Sequence, residues 1–286
     1  MKALVTGAGG QLGRALVARL GASTHALDHA DLDVTDAAAV SAVVQSVRPD
    51  VLINATAYNK VDAAESEPEA AFAVNATAVL GLALAAQRVG ALLVHVSTDY
   101  VFDGTASRPY VEGDAPRPIN AYGHSKRAGE VIVETVGAPA LLVRTSGVFG
   151  PGGSRAKGGS FVDRILERAR SGAALRVVDD QRFAPTYAPD LAGALVALIE
   201  GKATGLVHVA NEGTCSWHEL AVAALELAGL PAAVDRISSS ELAAPARRPA
   251  YSVLSTARFA ERTGAPLRPW RAALAEMLGE RAPRGV

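Results

Sequence analysis

One octapeptide constrains the fold more than any other feature of this chain. Thr6-Gly7-Ala8-Gly9-Gly10-Gln11-Leu12-Gly13 stands between a short apolar run and a stretch of helical periodicity. Glycines at 7, 10 and 13 permit a tight turn, close approach of backbone to a pyrophosphate, and close packing of helix on strand. The helix that follows would offer unpaired N–H groups and its positive dipole end to phosphates. Glycine spacing alone is weak, because a tight turn without a ligand uses the same residues. Its setting, after a strand and before a helix, makes it a dinucleotide fingerprint in which Gly7, Gly10, Gln11, Leu12 and Gly13 are the contact residues.

The same alternation continues downstream. Short apolar runs at residues 3–5, 24–27, 51–53, 92–96 and 141–143 read as strands buried on both faces. Helical stretches at 11–20, 36–47, 68–89 and 124–136 separate them, with Asp36 as a cap and Pro68 in a first turn. Strands alternating with helices imply right-handed crossovers and a doubly wound, parallel α/β sheet of Rossmann type. Beyond Gly150 the pattern weakens, and Gly150-Pro151-Gly152-Gly153 and Gly158-Gly159 bracket a flexible segment. A helix at 161–170, a strand near 175–178, a helix at 191–199 and a strand at 206–210 follow. The expected division is a dinucleotide-binding domain of residues 1–150 plus about 188–210. A smaller substrate domain takes 151–187 plus 211–286.

Composition narrows the function. Hydrophobic residues make up 49% of the chain and charged residues 20%, enough for a large core and too apolar for disorder. The net charge of −1 argues against nucleic-acid and membrane-surface partners. A single cysteine, Cys215, excludes an internal disulfide and a cysteine-based metal cluster, and reads as a reduced thiol. The apolar stretch 70–86 contains Asn75 and Thr77 and reads as a core helix. With residues 2–6 already a strand and no leader before them, a cytoplasmic protein is expected.

Asp28 lies 21 residues past Gly7, at the end of the second strand. A carboxylate there can accept hydrogen bonds from the adenosine ribose and repel a 2′-phosphate; a helix cap or a solvated acid is an equal alternative. Asp33 could reach the adenine amino group. Arg14 and His29 soften the discrimination, so this reading favours NAD(H) and leaves NADP(H) open.

Tyr122 and Lys126 are four residues apart at the start of a helix and share one face. Thr98 ends the fourth strand. This trio suits carbonyl reduction: the tyrosine gives a proton to the carbonyl oxygen, the threonine hydroxyl holds that oxygen, and the lysine acidifies the tyrosine. Moving a phenol from about 10 to about 7 takes about 4 kcal/mol. One ammonium at about 4 Å in an effective dielectric of 20 supplies about that much. The six histidines show no metal-ligand spacing, and no Gly-x-Ser-x-Gly elbow surrounds Ser97 or Ser125.

Ser97-Thr98-Asp99-Tyr100-Val101-Phe102-Asp103-Gly104 and Asn120-Ala121-Tyr122-Gly123-His124-Ser125-Lys126 resemble the extended short-chain dehydrogenase/reductases, and more closely the dTDP-4-dehydrorhamnose reductases. Val61-Asp62-Ala63-Ala64-Glu65, Ala184-Pro185-Thr186, Ser216-Trp217-His218 and Arg247-Arg248-Pro249 extend the resemblance over nearly the whole chain. The resemblance implies Tyr122 as proton donor, Lys126 as its activator and Thr98 as the carbonyl-binding hydroxyl. It implies Gly10, Gln11, Leu12, Asp28, Asp33 and Val34 at the adenine half of NADP(H) or NAD(H). Ala57, Tyr58 and Asn59 would line the cofactor path, and Thr98, Asp99 and Tyr100 the sugar. The partner implied is a nucleotide sugar, reduced at C4 to yield dTDP-L-rhamnose for polysaccharide synthesis.

The chain departs from the pattern twice. Relatives usually carry tryptophan after Arg-Thr-Ser and use it at the substrate; here Gly147 stands there, and Phe149 is the nearby aromatic that could fill the space. Some relatives are magnesium-bridged homodimers using a glutamate shortly after the third glycine. Arg14 and Ala15 occupy that stretch, so no magnesium ligands are nominated. Two other functions fit the fold: a non-catalytic regulatory subunit like that of methionine adenosyltransferase, and a reductase, epimerase or dehydratase of another sugar nucleotide. Dehydratases typically place an acidic pair after the threonine, whereas Asp99 is followed by Tyr100.

Overall fold

The computed structural model describes residues 1–153, 159–230 and 233–279; Gly158 lies outside them. Six parallel strands form the central sheet. They are β1 (Ala3–Thr6), β2 (Thr24–Leu27), β3 (Val51–Asn54), β4 (Leu92–Thr98), β5 (Ala140–Thr145) and Gly205–His208. Their spatial order is β2, β1, β3, β4, β5, then Gly205–His208, every neighbouring pair parallel. The chain leaves β1 toward β2 on one side and later returns to β3 on the other. The sheet therefore opens a crevice at the carboxyl ends of β1 and β3.

Adjacent residues of each central strand feed opposite cores, as the two-residue period requires. Val5, Ile53 and Val94 pack under α1 (Gln11–Leu20) and the helix Ala188–Glu200. Leu4, Leu52 and Leu93 pack under α2 (Ala37–Val47) and the helix Ala78–Val89. β2 differs from the expectation of a doubly buried strand: it is the sheet edge, and His25 and Ala26 are exposed. A third core joins Phe149, Val162, Leu166, Phe183, Tyr187, Leu220, Trp270 and Met277, away from the sheet. The helix Ala257–Thr263 returns to the sheet instead. Phe259 enters the first core, and Arg258 and Arg262 donate to the carbonyls of Leu206 and Thr204.

Pro68–Val89 is long and apolar enough to cross a membrane by length and composition alone, but half of it is buried within the fold. It is not regular. Residues Ala73–Thr77 form a π-turn between two α-segments, and such bulges recur at functional sites. The bulge pushes the Asn75 carbonyl against the helix Ala121–Val136. A Cβ on Gly129 would lie 2.2 Å from that oxygen, so only glycine allows the two helices to meet there.

Candidate active site

A cleft of about 750 Å³ runs along the carboxyl ends of the strands. Each β-strand from β1 to β5 contributes residues at or just past its end: Gly7 and Gly9 to Leu12, Asp28 to Ala30, Ala55 to Ala57 and Asn59, Thr98 to Tyr100, and Thr145 with Gly147 to Phe149. The far wall comes from Gly159 to Val162, Arg164, Gln181 to Phe183, Trp217 and Leu220.

At the glycine end the backbone is packed to its limit. Gly7 has φ +72°, and a Cβ on it would lie 2.9 Å from the Ala55 carbonyl; a Cβ on Gly13 would lie 2.1 Å from the Gly7 oxygen. Helix α1 begins at Gly10 with no side-chain cap and no acidic residue in its first turn. Its leading N–H groups are thus left for an anion. Gln11, Thr56 and Thr145 line the cleft and each carries a buried polar atom with no hydrogen-bond partner among the described residues. Orphaned polar atoms beside a glycine cradle fit a bound dinucleotide.

The reaction centre sits at the end of β4. Asn120 caps the helix Ala121–Val136 by accepting from the Gly123 N–H at 2.7 Å, which places Tyr122 and Lys126 on the face toward the sheet. Lys126 is buried, and its Nζ donates to the Val96 carbonyl at 2.7 Å. The Thr98 hydroxyl faces the Tyr122 phenol and holds its pKa down. Thr98 Oγ1 also donates to Asp99 Oδ1 at 3.0 Å and accepts the Tyr100 N–H at 3.2 Å. The Tyr100 ring meets Tyr122 edge-on, 6.0 Å between centroids.

The electrostatics correct the expectation for the Tyr–Lys pair. Burial pushes the Tyr122 phenol up to about 12, with the Asp99 charge adding to the rise against the Thr98 hydroxyl. Burial likewise pushes Lys126 down to about 8, with Glu130 opposing. Both groups share one desolvated pocket, and the ammonium is committed to a backbone carbonyl, so the protein alone does not bring Tyr122 toward neutrality.

The whole-chain comparisons agree with this geometry. Residues 1–282 match the model of the RmlD substrate binding domain. The dTDP-4-dehydrorhamnose reductase of Streptomyces griseus is 43% identical over 283 residues, covering 96% of this chain and 91% of that protein. The chain belongs to the RmlD family. The spore coat polysaccharide biosynthesis protein SpsK of Bacillus subtilis is 41% identical, covering 98% of each chain. The crystal structure of a Bacillus anthracis dTDP-4-dehydrorhamnose reductase in complex with NADP superposes with a TM-score of 0.92 at 37% identity, covering 98% of this chain and 100% of that one.

Within this RmlD-family cleft, Gly7, Gly10, Gln11, Leu12, Asp28, Ala57, Asn59, Thr98, Asp99, Tyr100, Tyr122, Lys126 and Gly147 come together. Gly13 lies beneath it as a packing contact. Asp33 does not reach it. Its Oδ1 accepts from the Thr35 N–H and hydroxyl, and Val34 is buried behind it. Tyr58 turns away as well, its phenol donating to Glu67 at 2.7 Å while its backbone is held at both ends by the Asn75 amide. Asp28 lines the cleft and also accepts the Ala30 N–H at 2.8 Å, so the ribose and turn-cap readings coexist. Arg14 faces elsewhere, donating to the carbonyls of Gly9, Pro151 and Gly153. Among the described residues no group of three or more His, Cys, Asp or Glu could hold a metal ion.

Asp99, expected at the sugar, lines the cleft, but its carboxylate is turned inward: Oδ2 accepts from Ser146 at 2.7 Å and from Ser252 at 2.5 Å. Several partners of the site residues escaped sequence reasoning. Arg248 pairs with Asp62 at 2.8 Å and hydrogen-bonds the Tyr100 phenol, joining three segments far apart in the chain. Asn75 had one local signal, a polar residue inside an apolar helix; Ser146 and Ser252 had none. Burial pushes Asp99 up to about 6 against its three hydroxyl donors. Its ionised form is the stronger acceptor and fixes those hydroxyls. Turnover is therefore expected to fall as the pH drops through about 6, and Asp99→Asn should flatten that acid limb. A limb that persists in the variant would assign it to another group.

Proposed function

We propose that this protein reduces the C4 keto group of dTDP-4-dehydro-β-L-rhamnose to dTDP-L-rhamnose with NADPH or NADH, supplying the precursor of rhamnose-containing polysaccharides. The observation that carries the reading is the meeting of Thr98, Tyr122 and Lys126 in the cleft that the glycine loop opens. The names of the relatives support the sugar, and their matching length supports the whole activity.

When bound, the reduced nicotinamide supplies hydride to the carbonyl carbon. Tyr122 donates its phenolic proton to the carbonyl oxygen, and the alcohol forms. A phenol at about 12 is fully protonated at neutral pH, the form that reduction requires. The reverse oxidation would need phenolate, at a cost of about 7 kcal/mol at pH 7. Lys126 keeps a positive charge beside the site at neutral pH, since about 8 lies above it. Thr98 stands beside the phenol, and its own proton is held by Asp99 until substrate competes for it.

The Rossmann unit 1–150 plus about 188–210, joined by the helix Ala257–Thr263, holds the cofactor in this reading, and the rest of 151–187 and 211–286 holds the substrate. The separate third core supports that division. We place the enzyme in the cytoplasm, where Cys215 stays a thiol. The deciding assay follows nicotinamide oxidation with purified protein and dTDP-4-dehydrorhamnose. A protein that binds NADPH yet oxidises none with this substrate would favour the regulatory-subunit reading.

Asp28 bears on cofactor choice. Asp28→Asn removes its charge and keeps an acceptor for the Ala30 N–H. One unit charge near a 2′-phosphate is worth 1 kcal/mol or more, so the kcat/KM ratio should move toward NADPH by about tenfold. An unchanged ratio would mean that the carboxylate serves only its turn.

A further inference from the structure

Just past β5 the chain crosses from the sheet to the third core. A Cβ on Gly147 would lie 2.3 Å from Cε2 of Phe183, so that ring takes the space a side chain would use. Phe149, the aromatic expected there, instead packs against Tyr187, and Val148–Phe149 pairs with Thr186–Tyr187. The turn 150–153 follows. A Cβ on Gly153 would lie 2.5 Å from Cα of Gly159, so the turn abuts the start of the helix Phe161–Arg170. Ser160 and Asp163 cap that helix reciprocally, and Val162, Ile165 and Leu166 carry it into the third core.

Arg14 of α1 holds this turn. Its Nη2 donates to the carbonyls of Pro151 at 3.1 Å and Gly153 at 2.9 Å, and its Nη1 donates to the Gly9 carbonyl. Gly152 and Gly153 have φ +73° and +54°, a left-handed pair that turns both carbonyls onto one nitrogen. A planar guanidinium with fixed donors serves both segments at once. On its other side, the Gly9 carbonyl and the Gly10 N–H belong to one rigid peptide plane. That N–H donates to the Gly7 carbonyl at 2.9 Å. Whatever fixes the glycine loop therefore fixes the guanidinium, and with it the turn. Gly7, Gly9 and Gly10 line one side of the cleft and Gly159 to Val162 the other, while Arg14 stands behind the lining.

We propose that Arg14 is a positioning residue that couples the two walls of the cleft, so that a dinucleotide filling the glycine loop raises the affinity for the nucleotide sugar. This rests on the nucleotide-sugar reading above. An anion on the leading N–H groups of α1 holds the loop. The Arg14 fork then holds the turn and the helix start, and the second ligand meets a wall already in place. The coupling is one free energy shared by two ligands, so it is reciprocal: the nucleotide sugar tightens the dinucleotide by the same factor.

The probes are dTDP and ADP-ribose, which offers adenosine and pyrophosphate to the loop without a nicotinamide to touch the far wall. Calorimetry measures dTDP binding with and without saturating ADP-ribose in wild type, Arg14→Met, Arg14→Lys and Gly152→Ala. In wild type ADP-ribose should tighten dTDP about tenfold, and dTDP should tighten ADP-ribose equally. Arg14→Met removes the fork. Gly152→Ala reaches the same contact from the exposed turn, placing a Cβ 2.9 Å from Nη2 and leaving α1 unchanged. In each the ratio should fall to near one. Arg14→Lys keeps the charge beside the loop and loses the fork, so its ratio should fall as well. Wild type that binds dTDP no more tightly with ADP-ribose than without would overturn the proposal and leave the reductase reading intact. So would coupling that survives in Arg14→Met and Gly152→Ala, or that is kept in full by Arg14→Lys. A wild type that binds ADP-ribose but no dTDP in either state would remove the nucleotide-sugar reading and this coupling with it.

Discussion

Tyr122→Phe is expected to lower turnover by at least about a hundredfold while NADPH affinity stays near that of wild type. The phenol is the acid placed between Thr98 and the cleft, and removing one oxygen atom takes away the transferable proton without emptying the site. The Tyr122 ring would still meet Tyr100, so the fold should be untouched. Single-turnover reduction measured beside cofactor titration checks both halves of this expectation. Turnover within a few-fold of wild type would remove Tyr122 from proton transfer.

The second large effect lies behind the site. Arg144 and Glu130 form a fully buried pair, Nε to Oε1 and Nη2 to Oε2, each at 2.8 Å. Arg127 adds a third donor to Glu130 at 3.0 Å, and His208 lies 3.4 Å from Arg144. Burial, then the Arg144 charge, pushes His208 down to about 3, so it stays neutral and brings no second charge. Glu130→Ala leaves the Arg144 guanidinium without its buried carboxylate, which should cost about 3–5 kcal/mol. In a chain of this size that lowers Tm by about 10 °C. It also removes the charge that holds Lys126 up, so surviving activity should lose its ammonium at a lower pH. Glu130→Met with Arg144→Met should recover most of the stability, because a matched apolar pair leaves no orphan charge. If the single variant melts as wild type does, the network does not hold the fold.

The legible part of this protein was local. The glycine loop, the strand–helix alternation and the Tyr122/Lys126 spacing are patterns within a few residues, set by backbone sterics and by the periods of helix and strand. Even there, burial overrode local reading twice. β2 has the composition of an inner strand yet forms the sheet edge, because the sheet has no strand beyond it. The Tyr122–Lys126 spacing says nothing of burial, which raises the phenol and lowers the ammonium.

By itself the sequence determined that the chain builds a parallel, doubly wound sheet with a dinucleotide loop and a Thr–Tyr–Lys trio at its strand ends. Each of these follows from short-range periodicity or from motifs confined to one element. Only the tertiary structure decided what surrounds the trio. Ser252 closes on Asp99 across 153 positions, and Arg248 reaches Asp62 across 186. Phe183 takes the place of a side chain at Gly147, and the bulged Asn75 grips the loop after β3. Such contacts leave no periodic trace, because they are chosen by how the third core docks beside the sheet and by the requirement that buried polar groups find partners.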